Sequence, residues 1–178
     1  NNDGIRVIAV AYKAVEIGAK PFSVSDETDL IFSGFMAFLD PPKETAREAI
    51  RLMREHGVTV KILTGDNATV ARSICREVGL DAQQGVNGSP PENLSEEALG
   101  ILAEDNTVFA KLSPAQKSRI VRALKARRHT VGFMGDGIND ATALREADVG
   151  ISVDSGVDIA KEAADIILLE KSLLVLER

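Results

Sequence analysis

Gly135-Asp-Gly-Ile-Asn-Asp-Ala-Thr-Ala-Leu144 follows the short apolar run Thr130-Val-Gly-Phe-Met134 and leads into residues with helical spacing. The apolar run reads as a strand buried on both faces of a parallel sheet. The glycine-rich turn then lies at the carboxyl edge of that sheet, with Asp136 and Asp140 brought toward one point. Converging carboxylates repel strongly unless a cation sits between them. Oxygen ligands of this kind suit a hard ion, and Mg²⁺ is usually held by a carboxylate or two plus substrate phosphate and water. The spacing excludes three other motifs: a dinucleotide fingerprint wants glycine where Asp140 stands, an EF-hand wants Asp or Asn where Ile138 stands, and no Gly-Lys-Ser/Thr follows to make a P-loop. Asp-Gly and Asn-Asp also make ordinary turns. Taken alone, the loop leaves a plain structural turn open beside the metal site.

Working outward, Ile5 to Tyr12 reads as a strand, and Asp29 to Leu39 as a second that stops at Asp40-Pro41-Pro42. These prolines fix the backbone and remove donors, and Asp40 is placed to cap a helix opened by Pro41 and running to about His56. Gly57 supplies its stop. Val58 to Leu63 is the next strand, ending in Thr64-Gly-Asp-Asn67 ahead of a helix whose apolar stripe holds Val70, Ala71, Ile74, Cys75 and Val78. Residues 81–93 read as a loop. Ser95 caps the following helix, with Leu94 and Leu99 spaced as a hydrophobic staple. Thr107 to Ala110 is a short strand, and Ser113-Pro-Ala-Gln116 has the spacing of a capping box with proline at the first helical position. That helix carries Lys117 and turns Ile120, Val121 and Leu124 inward. Beyond the opening motif come strand 148–153, helix 156–163, strand 165–169 and a helix start at Ser172. Strands alternating with helices of this length predict an α/β fold with a doubly wound, mainly parallel sheet.

Composition narrows the function. At 178 residues and 44% hydrophobic content the chain can build one substantial core. No apolar run approaches the roughly 20 residues a membrane helix needs, and Asn1-Asn-Asp-Gly4 is unlike a signal peptide, so the segment is expected in water. The net charge of -6 argues against a nucleic-acid partner, whose phosphates it would repel. A single cysteine, Cys75, forms no intrachain disulfide and fits a reducing compartment. His56 and His129 stand at predicted helix ends without a second ligand at metal spacing.

In doubly wound sheets, ligands bind beyond the carboxyl ends of the strands. Three loops are expected there. Thr64 and Gly65 offer a hydroxyl and backbone amides at a helix start, suited to phosphate oxygens. Lys117 offers a point charge against a phosphoryl group. Asp136 and Asp140 offer the metal site. These are the parts of phosphoryl transfer, where positioning and charge neutralisation dominate, but no loop supplies a nucleophile.

Asp40-Pro-Pro-Lys43, Thr64-Gly-Asp-Asn67, Lys117 and Gly135-Asp-Gly-Ile-Asn-Asp140, in this order, resemble the motifs of P-type ATPases, members of the haloacid dehalogenase-like superfamily. The run from Asp154 to Glu170 is most similar to the bacterial magnesium-transporting branch. The resemblance covers nearly the whole chain. It implies a Rossmann-like sheet lacking the central strand that carries the phosphorylated aspartate. Residues 1–28 would then be the end of the nucleotide-binding domain and its linker, and 29–178 the carboxyl-terminal part of the phosphorylation domain. It also implies roles by position. Asp136 would ligate Mg²⁺, with Asp140 and Asn139 ordering the shell. Lys117 would neutralise the phosphoryl group, while Thr64 and Gly65 bind its oxygens. Asp66, Asn67 and Lys43 would face the nucleotide, and Asp40 would belong to the hinge.

Two departures stand out. Thr142 replaces a proline usual in the motif, and no Asp-Lys-Thr-Gly-Thr segment, the source of the phosphate-accepting aspartate, occurs in these residues. The expectation is therefore a cytoplasmic fragment of an ATP-driven, Mg²⁺-transporting enzyme on the inner side of a bacterial membrane, inactive by itself. Mg²⁺ and ATP would be the parent's cofactors. Its partners would be the parent's remaining nucleotide-binding, actuator and membrane domains. The missing strand would lie between those ending at Leu63 and Met134, leaving two edges to be filled by Ile5–Tyr12 or by a strand of another chain, or else leaving the fragment only partly ordered. A free-standing phosphate- or metal-binding module, or a soluble phosphatase of the same superfamily, are the alternatives.

Overall fold

The computed structural model describes residues 6–15, 23–38, 42–43, 45–81, 86–87, 90, 93–170 and 172–177. Three separate sheets are present among them. Strand β1 (Arg6–Tyr12) pairs antiparallel with β2 (Ile31–Phe38), from Arg6 opposite Phe38 to Tyr12 opposite Ile31, with an irregularity at Val10/Ala11. A parallel sheet in the order β3-β5-β4 joins Ile62–Leu63, Val108–Phe109 and Val86–Asn87. A second parallel sheet runs β6-β7-β8 through Gly132–Met134, Val149–Val153 and Ile166–Leu168. The helices are α1 (Ala46–Glu55), α2 (Ala68–Val78), α3 (Glu96–Asp105), α4 (Pro114–Ala126), α5 (Ala141–Glu146) and α6 (Asp158–Ala163).

Helix α4 is the common wall of the two parallel sheets. Its capping box forms as the sequence predicts: Ser113 Oγ accepts from Gln116 N at 3.3 Å, and Ser113 N donates to Gln116 Oε1 at 2.8 Å. Ile120 and Leu124 pack with Leu99, Ala103, Phe109 and Leu112, whereas Val121, on the neighbouring stripe, packs with Phe133, Ala143 and Leu144. Leu63 and Val131 touch both of these clusters, so the ends of β3 and β6 share one hydrophobic floor. A third cluster, around Ala71, Cys75, Val78 and Val108, fixes α1 and α2 on the first sheet. Cys75 is wholly buried there, which pushes its thiol pKa up.

Several expectations are corrected. Strand β1 does not fill the gap beside β3; it is used by β2, because the antiparallel register satisfies both strands locally. Strands β3 and β6 are not bonded to one another either, so among the described residues each parallel sheet keeps an open edge. Residue 134 is 37% exposed and Gly132 is exposed, while Phe133 is 8% exposed. Strand β6 is therefore buried on one face, not two, since α4 and α5 cover only the side that Phe133 faces. The first helix begins at Ala46, preceded by Thr45 without a side-chain cap; Asp40 and Pro41 lie outside the described residues. Val58 is 51% exposed and the strand predicted from it contracts to Ile62–Leu63. The predicted loop 81–93 contributes β4.

Candidate metal and phosphoryl site

The loop after β6 is built around Asp140. Gly135 closes the strand by donating its N–H to Ile151 O at 3.0 Å, and a Cβ added there would lie 2.5 Å from Asp140 Cβ and 2.7 Å from its Cγ. Only glycine permits that approach. A 3-10 turn, Ile138–Asp140, then folds the loop back. Asp140 Oδ2 accepts from Gly137 N at 3.2 Å, and Asp140 Oδ1 accepts from Lys117 Nζ at 2.7 Å. Both side chains are nearly buried, at 13% for Lys117 and 12% for Asp140. In such a setting a charge pair with complete hydrogen bonds is tolerated, whereas either partner alone is costly. The lysine thus reaches from the first turns of α4 to the loop after β6, and Asp140 serves as its counter-ion.

Asp136 is held differently. Its carbonyl accepts from Val157 N at 3.0 Å, tying the loop to the turn after β7, while its side chain is exposed. Asn139 is exposed as well. Among the described residues no three His, Cys, Asp or Glu side chains form a metal-holding group. The donor set is two carboxylates and an amide within one turn, all oxygen. It fits Mg²⁺, which keeps water and substrate oxygens in its shell, and it does not fit the nitrogen- and sulfur-rich shell of zinc. The Asp136 carboxylate is exposed and open to a ligand from solvent.

The Thr64 loop is joined to the same helix through the main chain. Leu112 N donates to Thr64 O at 3.0 Å and Lys111 N to Asp66 O at 2.7 Å, so the β3 loop is fixed against the residues that start α4. Lys111 takes a left-handed backbone, φ 56, to make that turn. Thr64 Oγ1 accepts from Asp66 N at 3.0 Å and donates to Asp66 Oδ2 at 3.3 Å. Gly65 is exposed beside it. Asn67 caps α2, its Oδ1 accepting from Thr69 N and Val70 N, both at 3.0 Å. Main-chain hydrogen bonds therefore tie the loop of Thr64, Gly65 and Asp66 to the two residues 111–112 just ahead of α4, while Lys117 on α4 pairs with Asp140, whose loop also carries Asp136 and Asn139. The structure does not bring Lys43 into this group: the residue is exposed ahead of α1, and among the described residues no hydrogen bond or ion pair links it to the three loops. Asp40 falls outside the described residues.

Lys111, Leu112, Gly156 and Val157 are contributors that the sequence does not announce. Their part is played by backbone groups, which leave no side-chain signature; only the Ser155-Gly156 turn between strand and helix hints at one.

Magnesium-transporting ATPase, P-type 1, of Escherichia coli (strain K12) is 58% identical over 177 residues, covering 99% of this chain and 20% of that protein. The calcium-transporting ATPase of Bacillus subtilis (strain 168) is 36% identical over 179 residues, again 99% of this chain and 20% of the relative. Among solved structures, one describing nucleotide-dependent changes in the catalytic domain of the CPx-ATPase CopB-B matches with a TM-score of 0.60 and 26% identity, over 84% of this chain and 49% of that one. The chain spans about a fifth of the length of these curated relatives. Among the described residues no helix is long and apolar enough to cross a membrane. Because the profile of the haloacid dehalogenase-like hydrolases matches residues 11–148, more than half of its length, the chain belongs to that family.

Proposed function

We propose that this chain is the metal- and phosphoryl-holding part of the phosphorylation domain of an ATP-driven, Mg²⁺-transporting P-type ATPase, on the cytoplasmic side of a bacterial inner membrane. The observation that carries the proposal is the Lys117–Asp140–Gly137 network at the carboxyl end of β6, beside the open edges of β3 and β6. A strand running between those edges would deliver its carboxyl end among Thr64, Lys117 and Asp136. The 58% identity to a magnesium-transporting relative supports the choice of ion.

In this function Asp136 holds Mg²⁺, with Asp140 and Asn139 shaping its loop. An ion held there would supply positive charge against the transferred phosphoryl group. Lys117 supplies the second positive charge, already aimed by its pair with Asp140. Thr64 turns its hydroxyl from Asp66 to a phosphoryl oxygen, and the Gly65 amide approaches without side-chain hindrance. Asp66 and Asn67, next along the loop, face the nucleotide together with Lys43. Because no Asp-Lys-Thr-Gly-Thr segment occurs in these residues, they contain no phosphate acceptor and do not turn over ATP by themselves.

The antiparallel pairing of β1 with β2 favours placing both strands in the nucleotide-binding domain, which moves the domain boundary from residue 28 to the segment after Phe38. The remaining nucleotide-binding, actuator and membrane domains of the parent are the natural partners. A strand-swapped pairing of two copies at the open edges is the second association available to the isolated chain.

Titration of the chain with Mg²⁺ in the presence of inorganic phosphate, followed by nuclear magnetic resonance, tests the assignment. The amides from Gly135 to Asp140 should shift, and Asp136→Asn should abolish the response. An unchanged response in that variant rules out Asp136 as the ligand.

A further inference from the structure

Strand β7 carries a polar side chain for which the site chemistry above has no use. Ser152 is 0% exposed, and its Oγ is buried without a hydrogen-bond partner. Most buried hydroxyls are paired, and an unpaired one costs stability that an apolar side chain would not. Ser152 shares its buried face with Gly150, in the middle strand of the second parallel sheet, directly below the turn that holds Asp136.

Its surroundings are oxygen-rich. A Cβ built on Gly156 would lie 3.0 Å from Ser152 Oγ, 3.0 Å from Val153 O and 3.3 Å from Asp136 O. Glycine at 156 therefore keeps open a niche bordered by these three oxygens. Two of them already accept one hydrogen bond each: Gly156 N donates to Val153 O at 2.8 Å, and Val157 N donates to Asp136 O at 3.0 Å. Each carbonyl has a second lone pair. The Ser152 hydroxyl is a donor with no acceptor, placed across the niche from the carbonyl of the metal-holding residue.

We propose that Ser152 is a positioning residue for the metal loop. When a divalent cation engages the Asp136 carboxylate, the Asp136 carbonyl turns its second lone pair to the Ser152 hydroxyl and the loop locks against β7. Gly156 keeps the path between them clear. Ser152 touches neither the cation nor the phosphoryl group; it acts through the main chain of Asp136. The inference rests on the assignment of Asp136 as the Mg²⁺ ligand.

The test compares the wild-type chain with Ser152→Ala, Ser152→Cys and Asp136→Asn. Mg²⁺ is titrated with inorganic phosphate present, the amides from Gly135 to Asp140 are followed, and hydrogen exchange of the Val157 amide is measured with and without Mg²⁺. Ser152→Ala should bind Mg²⁺ about fivefold more weakly, the loss of one hydrogen bond, and should lose the Mg²⁺-dependent slowing of Val157 exchange. Its melting temperature without Mg²⁺ should be unchanged or raised, since it removes an unpaired group. Ser152→Cys, similar in size but a weak donor, should show the same weakened binding and covers the case in which the alanine variant folds poorly. Wild-type affinity in both variants, with Asp136→Asn unresponsive, overturns this inference alone. A wild-type chain that ignores Mg²⁺, or an Asp136→Asn variant that still responds, overturns the metal assignment and the role of Ser152 with it.

Discussion

Lys117 Nζ and Asp140 Oδ1 are 2.7 Å apart, joining α4 to the loop after β6 across 23 residues of chain. The pair is the charged link between the helix that braces both parallel sheets and the loop that carries Asp136 and Asn139. Removing one member leaves the other nearly buried and unpaired. Lys117→Met is expected to cost about 3 kcal/mol, and Asp140→Leu to cost a comparable amount while also stranding the Gly137 amide. The double variant should recover much of the loss, because an apolar pair replaces a buried ionic one at little net cost. Urea unfolding of the two single variants and the double variant measures this; strict additivity would show that the pair is not coupled.

Gly135 and Gly132 stand three residues apart and should respond very differently to the same substitution. An alanine Cβ at 135 meets Asp140 Cβ at 2.5 Å, whereas at 132 the nearest atom, Val149 O, is 3.8 Å away. Gly135→Ala must displace Asp140 and is expected to cost about 2 kcal/mol, together with a changed Gly137 amide resonance. Gly132→Ala should stay within about 0.5 kcal/mol of the wild type. Thermal melting of both variants checks the contrast.

Acid stability has a local source at the α3–α4 contact. Hydrogen bonds from Arg127 and then His129 hold the Glu104 carboxyl down from its ordinary 4.5 to about 2. A carboxylate whose pKa is lower in the folded state adds stability above its unfolded pKa and loses it as the pH falls through the folded one. The contribution is therefore complete above about 4.5 and disappears toward about 2. Glu104→Gln should flatten the stability profile in that window and leave it unchanged near neutrality apart from a constant offset. Denaturation curves between pH 2 and pH 6 measure it; an identical slope in the variant would assign the acid sensitivity elsewhere.

How far the sequence disclosed this arrangement depends on the kind of interaction. Local rules were legible: the capping box at Ser113, the Ser95 cap and the apolar stripe of α4 depend on residues within one or two turns, and all appear where the spacing puts them. The placement of the Thr64 loop after β3 and of the Asp136–Asp140 loop after β6 was legible because each follows the carboxyl end of a parallel strand. Less legible were strand lengths and burial. Val58 and Val60 have the composition of a strand, yet only Ile62–Leu63 pair, since β5 offers just Val108–Phe109 as a partner. Tertiary pairing, not propensity, sets those ends. Residues 86–87 form β4 although their glycine- and proline-rich context reads as loop, because β5 has a free side for them. The fate of β1 could not be read either: its apolar pattern suits a central parallel strand and a hairpin equally, and the register with β2 decided it.

The open edges of β3 and β6 lead to the last expectation. Ile62 N donates to Thr107 O, just ahead of β5, and Thr64 N to Phe109 O of β5, so the Leu63 N–H between them points away, toward the open side. On β6, Gly135 N donates to Ile151 O, and by the same alternation Gly132 and Met134 present their N–H groups outward. Unsatisfied edges of this kind recruit strands, and the isolated chain is expected to self-associate as its concentration rises. Proline is tolerated at the first residue of a strand, the place that Gly132 holds, and it removes an outward donor without touching the β6–β7 bonds. Gly132→Pro should therefore keep its melting temperature near that of the wild type while reducing association. Sedimentation velocity across a range of concentrations reads both species. Equal association in the two proteins would place the contact elsewhere, with the exposed Ile8, Phe32, Phe35 and Met36 of the β1–β2 hairpin as the next surface to change.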